Sequence, residues 1–411
     1  MKYVIAFFLV SINLNLYGQS HSLAFYIQQA RDNSPLIKDY QNQVMSYGLD
    51  SQILRASLKN QVNFISNNSY APVIGGFGYD EAITNIANVS ALIQASRNFI
   101  SKNNIGSQLR NIALQTRTLY DTIRLARLDV GRTIAEQYIT AYGDQLSLDY
   151  NKDVYDLLVR EEVILKKLTQ QSVFKQTDYL NFYVTMQQQE LNWLQSQIQY
   201  NTDYLTLNYL AGIVDTTLQR ISPPALLDSG MLTDITNSVF LQRFVIDSLR
   251  LENEKTLLNY QYKPRLGVYA DGGYNSSLQT TPYKNIGVSA GMSLVIPLYD
   301  GHQKHIKYSK INLQEKTRQN NKDFFLNQYR QQVAILRQQL YATSILEDKI
   351  NQQIKYTNTL ITANGQLLQT GDITMKDYIL ALNNYLNAKN LLTQNNIAKL
   401  RIVNQINYWN R

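Results

Sequence analysis

Between Ile286 and Leu298 every second residue is apolar: Ile286, Val288, Ala290, Met292, Leu294, Ile296 and Leu298. Gly287, Ser289, Gly291, Ser293, Val295 and Pro297 stand between them and are mostly small or polar. Alternate side chains of a strand face opposite ways, so the spacing predicts a strand over 286–298 with one apolar face. The same alternation marks three more segments, at about 61–70, 85–98 and 265–274. In the second, Ala87, Val89, Ala91, Ile93 and Ala95 oppose Asn88, Ser90, Gln94, Ser96 and Asn98. In the third, Leu266, Val268, Ala270, Gly272 and Tyr274 oppose Arg265, Gly267, Tyr269 and Asp271. A strand of about thirteen residues that runs into a long helix suits a tilted crossing of a bilayer within a closed barrel.

The remaining segments carry helical spacing. A helix pattern over 22–59 is interrupted by Pro35. A second covers 101–168, where Ile105, Leu109, Ile112, Thr116, Leu119 and Ile123 step by four and three in a heptad-like seam diluted with Thr and Ala. Such a helix spans on the order of 100 Å. After a break comes a helix over 178–210, then Gly212 and a linker over 213–233 that holds Pro223 and Pro224. Further helices are predicted over 234–261, 301–369 and 374–409. A shift of 199 residues sets Val89 on Val288, Ala91 on Ala290, Asp178-Tyr179 on Asp377-Tyr378 and Tyr209 on Tyr408 without a gap. The reading is therefore an internal duplication, 19–212 and 234–411, of one unit: helix, two strands, long helix, turn, helix.

Residues 1–18 read as a signal peptide, with Lys2 at its start, an apolar run from Val4 to Val10 and Leu16-Tyr17-Gly18 before the cut. No other stretch approaches the length of a membrane-spanning helix. The mature chain is then either periplasmic or secreted, or it enters a membrane as strands.

Composition narrows the chemistry. Of 411 residues only 17% are charged, while Asn and Gln together make up about a fifth. Cysteine is absent, which excludes a disulfide framework and thiolate metal ligands. The net charge of +8 is spread out, with no basic run or basic-aromatic interleave of the kind that binds nucleic acid. Gly75, Gly76 and Gly78 lack the Lys-Ser/Thr of a phosphate loop. His302 and His305, one turn apart with only His21 elsewhere, do not make a metal site. No nucleophile–base or paired-carboxylate set is evident, so the chain does not read as an enzyme, and no cofactor is implied.

In element order, and in two tracts, the mature chain resembles the TolC-like outer-membrane efflux proteins of Gram-negative bacteria. Leu294-Val295-Ile296-Pro297-Leu298-Tyr299-Asp300-Gly301 is similar to that family's junction between membrane strand and periplasmic helix. Gly371-Asp372-Ile373-Thr374-Met375-Lys376-Asp377-Tyr378 is similar to its hairpin-tip signature. Asn98-Phe99-Ile100, at the first-half junction, departs from the pattern. The resemblance implies an α+β membrane protein with a long coiled-coil-like α-helical barrel continuous with a transmembrane β-barrel. It also implies that each protomer would give four strands to a trimeric twelve-stranded barrel, and four strands alone would leave open edges in lipid. It further implies an outer-membrane exit duct with a long periplasmic part, working passively in a tripartite efflux or type I secretion system. The partners would be a periplasmic adaptor (membrane fusion) protein and an inner-membrane RND pump or ABC transporter. The competing reading is a periplasmic coiled-coil scaffold without a pore.

The resemblance also points to residues. Asp377 matches the family's tip aspartate, Asp178 is its repeat partner and Asp372 lies beside it. Three symmetry copies of such a carboxylate near an axis would ring a pore gate and attract cations. The alternative is that Asp377 and Asp178 cap their helices, Asp being a preferred N-cap. Leu380 stands where some members carry a second acidic ring and Ile373 where a bracing arginine would fall, so neither device is expected. Pro297, Asp300 and Gly301 form a structural strand–helix junction in which Asp300 caps the following helix.

Overall fold

The computed structural model describes residues 22–84, 86–226, 235, 238–279, 281–370 and 372–410. The signal peptide expected over 1–18 and Gly371 of the tip tract lie outside them. Helix α1 (Leu23–Asn33) starts at Ser22, whose Oγ accepts from Phe25 N, and Pro35 opens α2 (Pro35–Ser57) at the position where its missing N–H costs nothing. Then follow β1 (Gln61–Ile65), β2 (Asn68–Tyr70), α3 (Glu81–Thr84) and β3 (Ala87–Phe99). Helices α4 (Lys102–Gln170) and α5 (Gln176–Ala211) form a hairpin, and Gly212, left-handed at φ 69°, closes α5. The second half holds α6 (Val239–Gln261), β4 (Arg265–Ser276), β5 (Ile286–Val295), α7 (Gln303–Thr370) and α8 (Met375–Trp409). Among the described residues no helix is long and apolar enough to cross a membrane.

Of the boundaries that differ from the sequence expectation, three have a local cause. Helix α6 begins at Val239, with Ser238 as N-cap, rather than near 234. Strand β5 stops at Val295, not Leu298, because its partner there is Arg265, and Pro264 before it has no N–H to extend the ladder. Helix α7 starts at Gln303 rather than 301, because Gly301 and His302 are both left-handed, at φ 63° and 65°.

The strands form one antiparallel sheet in the order β1-β3-β4-β5, with β2 also on β3. Ile65 faces Leu92 and Asn68 faces Val89, so β1 and β2 share one register and act as a single strand. At the gap between them Ser90 Oγ accepts from Asn67 N and donates to Asn67 O, both at 3.0 Å. Register sets the rows of side chains. Phe64, Ile93, Gly272 and Val288 lie in line; so do Val62, Ala95, Ala270 and Ala290; so do Phe99, Leu266 and Leu294. One face is thus apolar across all four strand positions. It is not a core face: Phe64 is 70% exposed, Val288 91% and Met292 78%. An exposed apolar surface of this extent needs lipid or a partner against it.

By contacts the chain forms two compact units, each drawn from both sides of the linker: residues 1–35, 126–233 and 329–411, and residues 36–125 and 234–328. In the first, Leu23, Tyr26 and Ala30 of α1 pack with Ile134 and Tyr138 of α4 and with Tyr204 and Leu207 of α5. The segment after α5 is tied to this core by polar side chains. Tyr138 Oη donates to Ser222 O at 2.6 Å, and Gln145 bonds both the N–H and the carbonyl of Ile221. In the second unit, which holds the sheet, Leu251 and Leu258 of α6 pack on Ile311 of α7, with Tyr262 and Tyr308 beside them.

Candidate functional site

The turn from α7 to α8 is held by local hydrogen bonds. Thr374 is the N-cap of α8 and forms a capping box with Asp377: Asp377 N donates to Thr374 Oγ1, and Asp377 Oδ2 accepts from Thr374 N at 3.2 Å and from its hydroxyl at 2.6 Å. Asp372 Oδ2 accepts from Thr370 Oγ1 at 2.6 Å. Of the alternative reading, that Asp377 and Asp178 cap their helices, Asp377 keeps a part in the cap, though neither residue stands at the N-cap position. Asp377 is the third helical residue and returns the box, because Thr374 already holds the N-cap position. Asp178 is likewise the third residue of α5, whose N-cap is Lys175 without a side-chain bond. The carboxylates of Asp377 and Asp372 are exposed, and Asp178 is half-buried.

Both turns rest on one apolar cluster. Val154, Leu158 and Leu165 of α4, Phe182 of α5, Leu368 of α7 and Met375, Tyr378 and Leu382 of α8 are all buried in it. Ile373, beside Asp372 in the α7–α8 turn, packs on the same cluster.

Two tyrosines fasten this cluster to an acidic pair that the sequence pattern does not single out. Tyr179 Oη donates to Glu162 Oε1 at 2.5 Å. Tyr378, the residue 199 positions later, hydrogen-bonds Glu161. Burial, then the neighbouring Glu161 charge, pushes the Tyr378 phenol up to about 12. Burial likewise pushes Glu161 up, opposed by the Tyr378 hydrogen bond and by Arg160. Each hairpin thus contributes the tyrosine after its tip aspartate, and α4 contributes both acceptors. Tyr378→Phe leaves a half-buried carboxylate without its donor, a loss of about 1–3 kcal/mol. Amide exchange over 361–382 is expected to speed up accordingly, and Tyr179→Phe to do less because that side chain is more exposed.

A second titratable pair lies along the same helices. Asp144 of α4 hydrogen-bonds Asp203 of α5, and burial together with that partner pushes Asp144 up to about 7. Burial also acts on Asp203, but hydrogen bonds from Asp144, Gln137 and Gln199 hold it below the ordinary carboxylate range.

In the sheet-bearing unit the junction residues serve the start of α7. Asp300 Oδ2 accepts from Lys304 N at 2.7 Å, which with the Tyr262 hydroxyl holds this carboxylate low. Gly301 supplies the left-handed turn before the helix. Pro297 lies past the end of β5. The polar face of the sheet carries Asp271, which accepts from Ser289 Oγ at 2.8 Å, and Tyr269, whose ring lies over Gly291.

No family model matches the sequence, and no curated protein matches it either. Solved structures do match the fold. A membrane protein from Pseudomonas aeruginosa aligns at TM-score 0.75 and 12% identity over 94% of this chain and 92% of its own. The outer membrane protein VceC from Vibrio cholerae aligns at 0.74 and 13% over 94% and 96%. The MtrE outer membrane channel of Neisseria gonorrhoeae, in its open state, aligns at 0.73 and 11% over 95% and 88%. At such identities the likeness establishes the fold: this chain has the TolC-like fold that those outer-membrane proteins have.

Proposed function

We propose that this chain is the outer-membrane channel of an efflux system. The observation that carries the reading is the sheet. One face is mostly apolar and exposed across the strands; the other is lined mostly by Ser, Asn, Gln, Gly, Tyr, Asp and Arg265; and among the described residues neither β1 nor β5 has a partner on its outer side. A bilayer tolerates no open edge, because unpaired N–H and C=O groups in hydrocarbon cost several kcal/mol each. Closure therefore needs further copies. With four strand positions per chain, three copies make a twelve-stranded barrel, its polar face around a water-filled lumen. Strands β3 and β5 begin 199 residues apart, at Ala87 and Ile286, as do helices α5 and α8, at Gln176 and Met375, which supports a duplicated unit in each copy. The elongated helices belong to the periplasmic part, where a periplasmic adaptor and an inner-membrane RND pump or ABC transporter would load the duct. Conduction is passive in this reading, and efflux and type I secretion are both served by it.

Cysteines introduced at Asn63 on β1 and at Ser289 or Ser293 on β5 test the closure. Oxidised membranes should give a cross-linked ladder that ends at three chains. Release of folded, monomeric protein by a carbonate wash would instead favour the scaffold without a pore.

At the tip, Asp377 and its repeat partner Asp178 form the gate in this proposal, with Asp372 beside them. Asp377→Ala is expected to weaken cation selectivity or cation block in single-channel recordings. Recordings identical to the parent's would remove Asp377 from the gate. Loss of the capping box alone costs about 1 kcal/mol and slackens the turn without a preference for cations.

A further inference from the structure

At the end of the sheet where strands meet helices, charge is strongly one-sided. The segments 97–107, 258–268 and 295–308 hold Arg97, Lys102, Lys263, Arg265, Lys304 and Lys307 against a single acid, Asp300. Arg55 and Lys59 precede β1 at the same end. At the opposite end, segments 66–88 and 276–286 hold Asp80, Glu81 and Lys284. Helices α4 and α7 both begin at the basic end with no acid in their first turn. Lys102 is the first residue of α4, and Lys304 the second of α7. The positive end of a helix dipole disfavours a cation there; at α7 the Asp300 carboxylate already faces that end, whereas α4 opens on Lys102 with no acid in its first turn.

Arg97 sharpens the picture. Register puts it on the apolar face, in the row of Val268 and Met292, one row inside Phe99, Leu266 and Leu294. It is the one charged residue among the paired positions of that face, and its guanidinium lies 5.7 Å from the Phe99 ring centre. An arginine on a lipid-facing surface is tolerated near the boundary, where it reaches the headgroups while its stem stays among apolar neighbours. Phe99 also walls a cavity of about 490 Å³ with Ile100, Tyr260, Lys263, Pro264 and Arg265. That volume lies in the range of small-molecule sites, roughly 300–1,000 Å³. Lys263 Nζ sits 4.5 Å from the Tyr260 ring centre, and Lys304 and Lys307 lie 5.5 and 6.0 Å from that of Tyr262. Each of these cations thus rests against an aromatic ring, which does not neutralise it.

We infer that this basic, aromatic-walled joint is a binding site for the phosphate headgroup of an anionic phospholipid. The inference rests on the reading of the sheet as membrane-spanning. The lipid's phosphate meets Arg97 and Lys263, and its glycerol and first methylenes lie against Phe99 and Ile100. The site fixes the depth at which the strands stop and the helices begin.

The test uses the purified full chain and counts retained lipid by native mass spectrometry after exposure to phosphatidylcholine vesicles with or without phosphatidylglycerol. The parent protein should retain phosphatidylglycerol selectively. The double variant Arg97→Gln, Lys263→Gln should lose that preference by about tenfold or more, each interfacial cation contributing a severalfold factor. Its insertion, judged by resistance to carbonate, should be unchanged. A preference equal to the parent's would overturn the site, as would displacement of the lipid by inorganic phosphate alone. Unchanged lipid retention with altered anion conductance would place these charges on the water-filled side and also overturn it. Release of the parent by carbonate would sink the membrane reading itself, a different outcome from loss of lipid preference in an inserted protein.

Discussion

Gly273→Val should yield a chain that is made but does not build its sheet. Gly273 lies within β4, opposite Leu92 of β3 and Gly287 of β5. Its φ of 150° is one that residues with a side chain rarely adopt, and a Cβ there would sit 2.2 Å from Ala91 O and 3.1 Å from Leu92 Cα. Both obstacles are backbone, so no rotamer change relieves them. Strain at such a φ costs about 1–3 kcal/mol by itself, and the clash must also push β3 and β4 apart, although that pair carries eleven residue partners. Two neighbours serve as controls. A Cβ on Gly287 meets nothing within 4 Å, so Gly287→Ala should stay within about 0.5 kcal/mol of the parent. A Cβ on Gly291 would lie 2.6 Å from the Tyr269 hydroxyl oxygen, but that side chain can swing away, so Gly291→Ala should fall between the two. Membrane-inserted protein and its urea midpoint are the measurements. A Gly273→Val chain that inserts and melts like the parent would mean that β3 and β4 do not pair in this register.

That glycine also marks the limit of what the sequence discloses. Alternation locates all four strand positions because each keeps one face apolar over many residues, and period two survives substitution by any small or branched side chain. Where strands end is another matter. β5 stops at Val295 because of Pro264, thirty-one residues earlier in the chain, and only the register connects the two. Helix starts are legible to within a few residues, yet the cap of α8 is Thr374 and not the more conspicuous Asp377. The motif Thr-x-x-Asp is present in the sequence and is the signal that identifies it. The acceptors Glu161 and Glu162 carry no such signal. They sit in the polar stretch Arg160-Glu161-Glu162, which looks like any solvated helix face, and their tyrosines arrive from two different hairpins. The tip aspartates are recognisable by resemblance because they sit beside a turn, where sequence and position stay coupled.

The pair Asp144 and Asp203 is equally hidden, and it carries the second large effect: the protein should lose stability as pH rises from about 4 to about 7. Asp144 titrates near 7 in the folded chain against 3.8 as its ordinary value, because burial and the hydrogen bond to Asp203 favour its neutral form. The folded state therefore binds this proton more tightly than the unfolded chain does. The resulting stability is complete below the unfolded value, declines through the window between the two, and is gone above the folded one. A tenfold difference in proton affinity between the two states corresponds to about 1.4 kcal/mol. Allowing for partial exposure and for Arg401 nearby, the loss across the window is on the order of 3 kcal/mol. Asp144→Asn keeps a donor for Asp203 and cannot ionise. It should match the parent near pH 4 and exceed it by a similar amount near pH 8, with a flatter dependence between. Asp203→Asn should stabilise less, because Gln137 and Gln199 then face an amide where they had a carboxylate. Urea midpoints of the membrane-extracted protein at a series of pH values decide it: parallel curves for parent and Asp144→Asn would remove the shared proton from the fold.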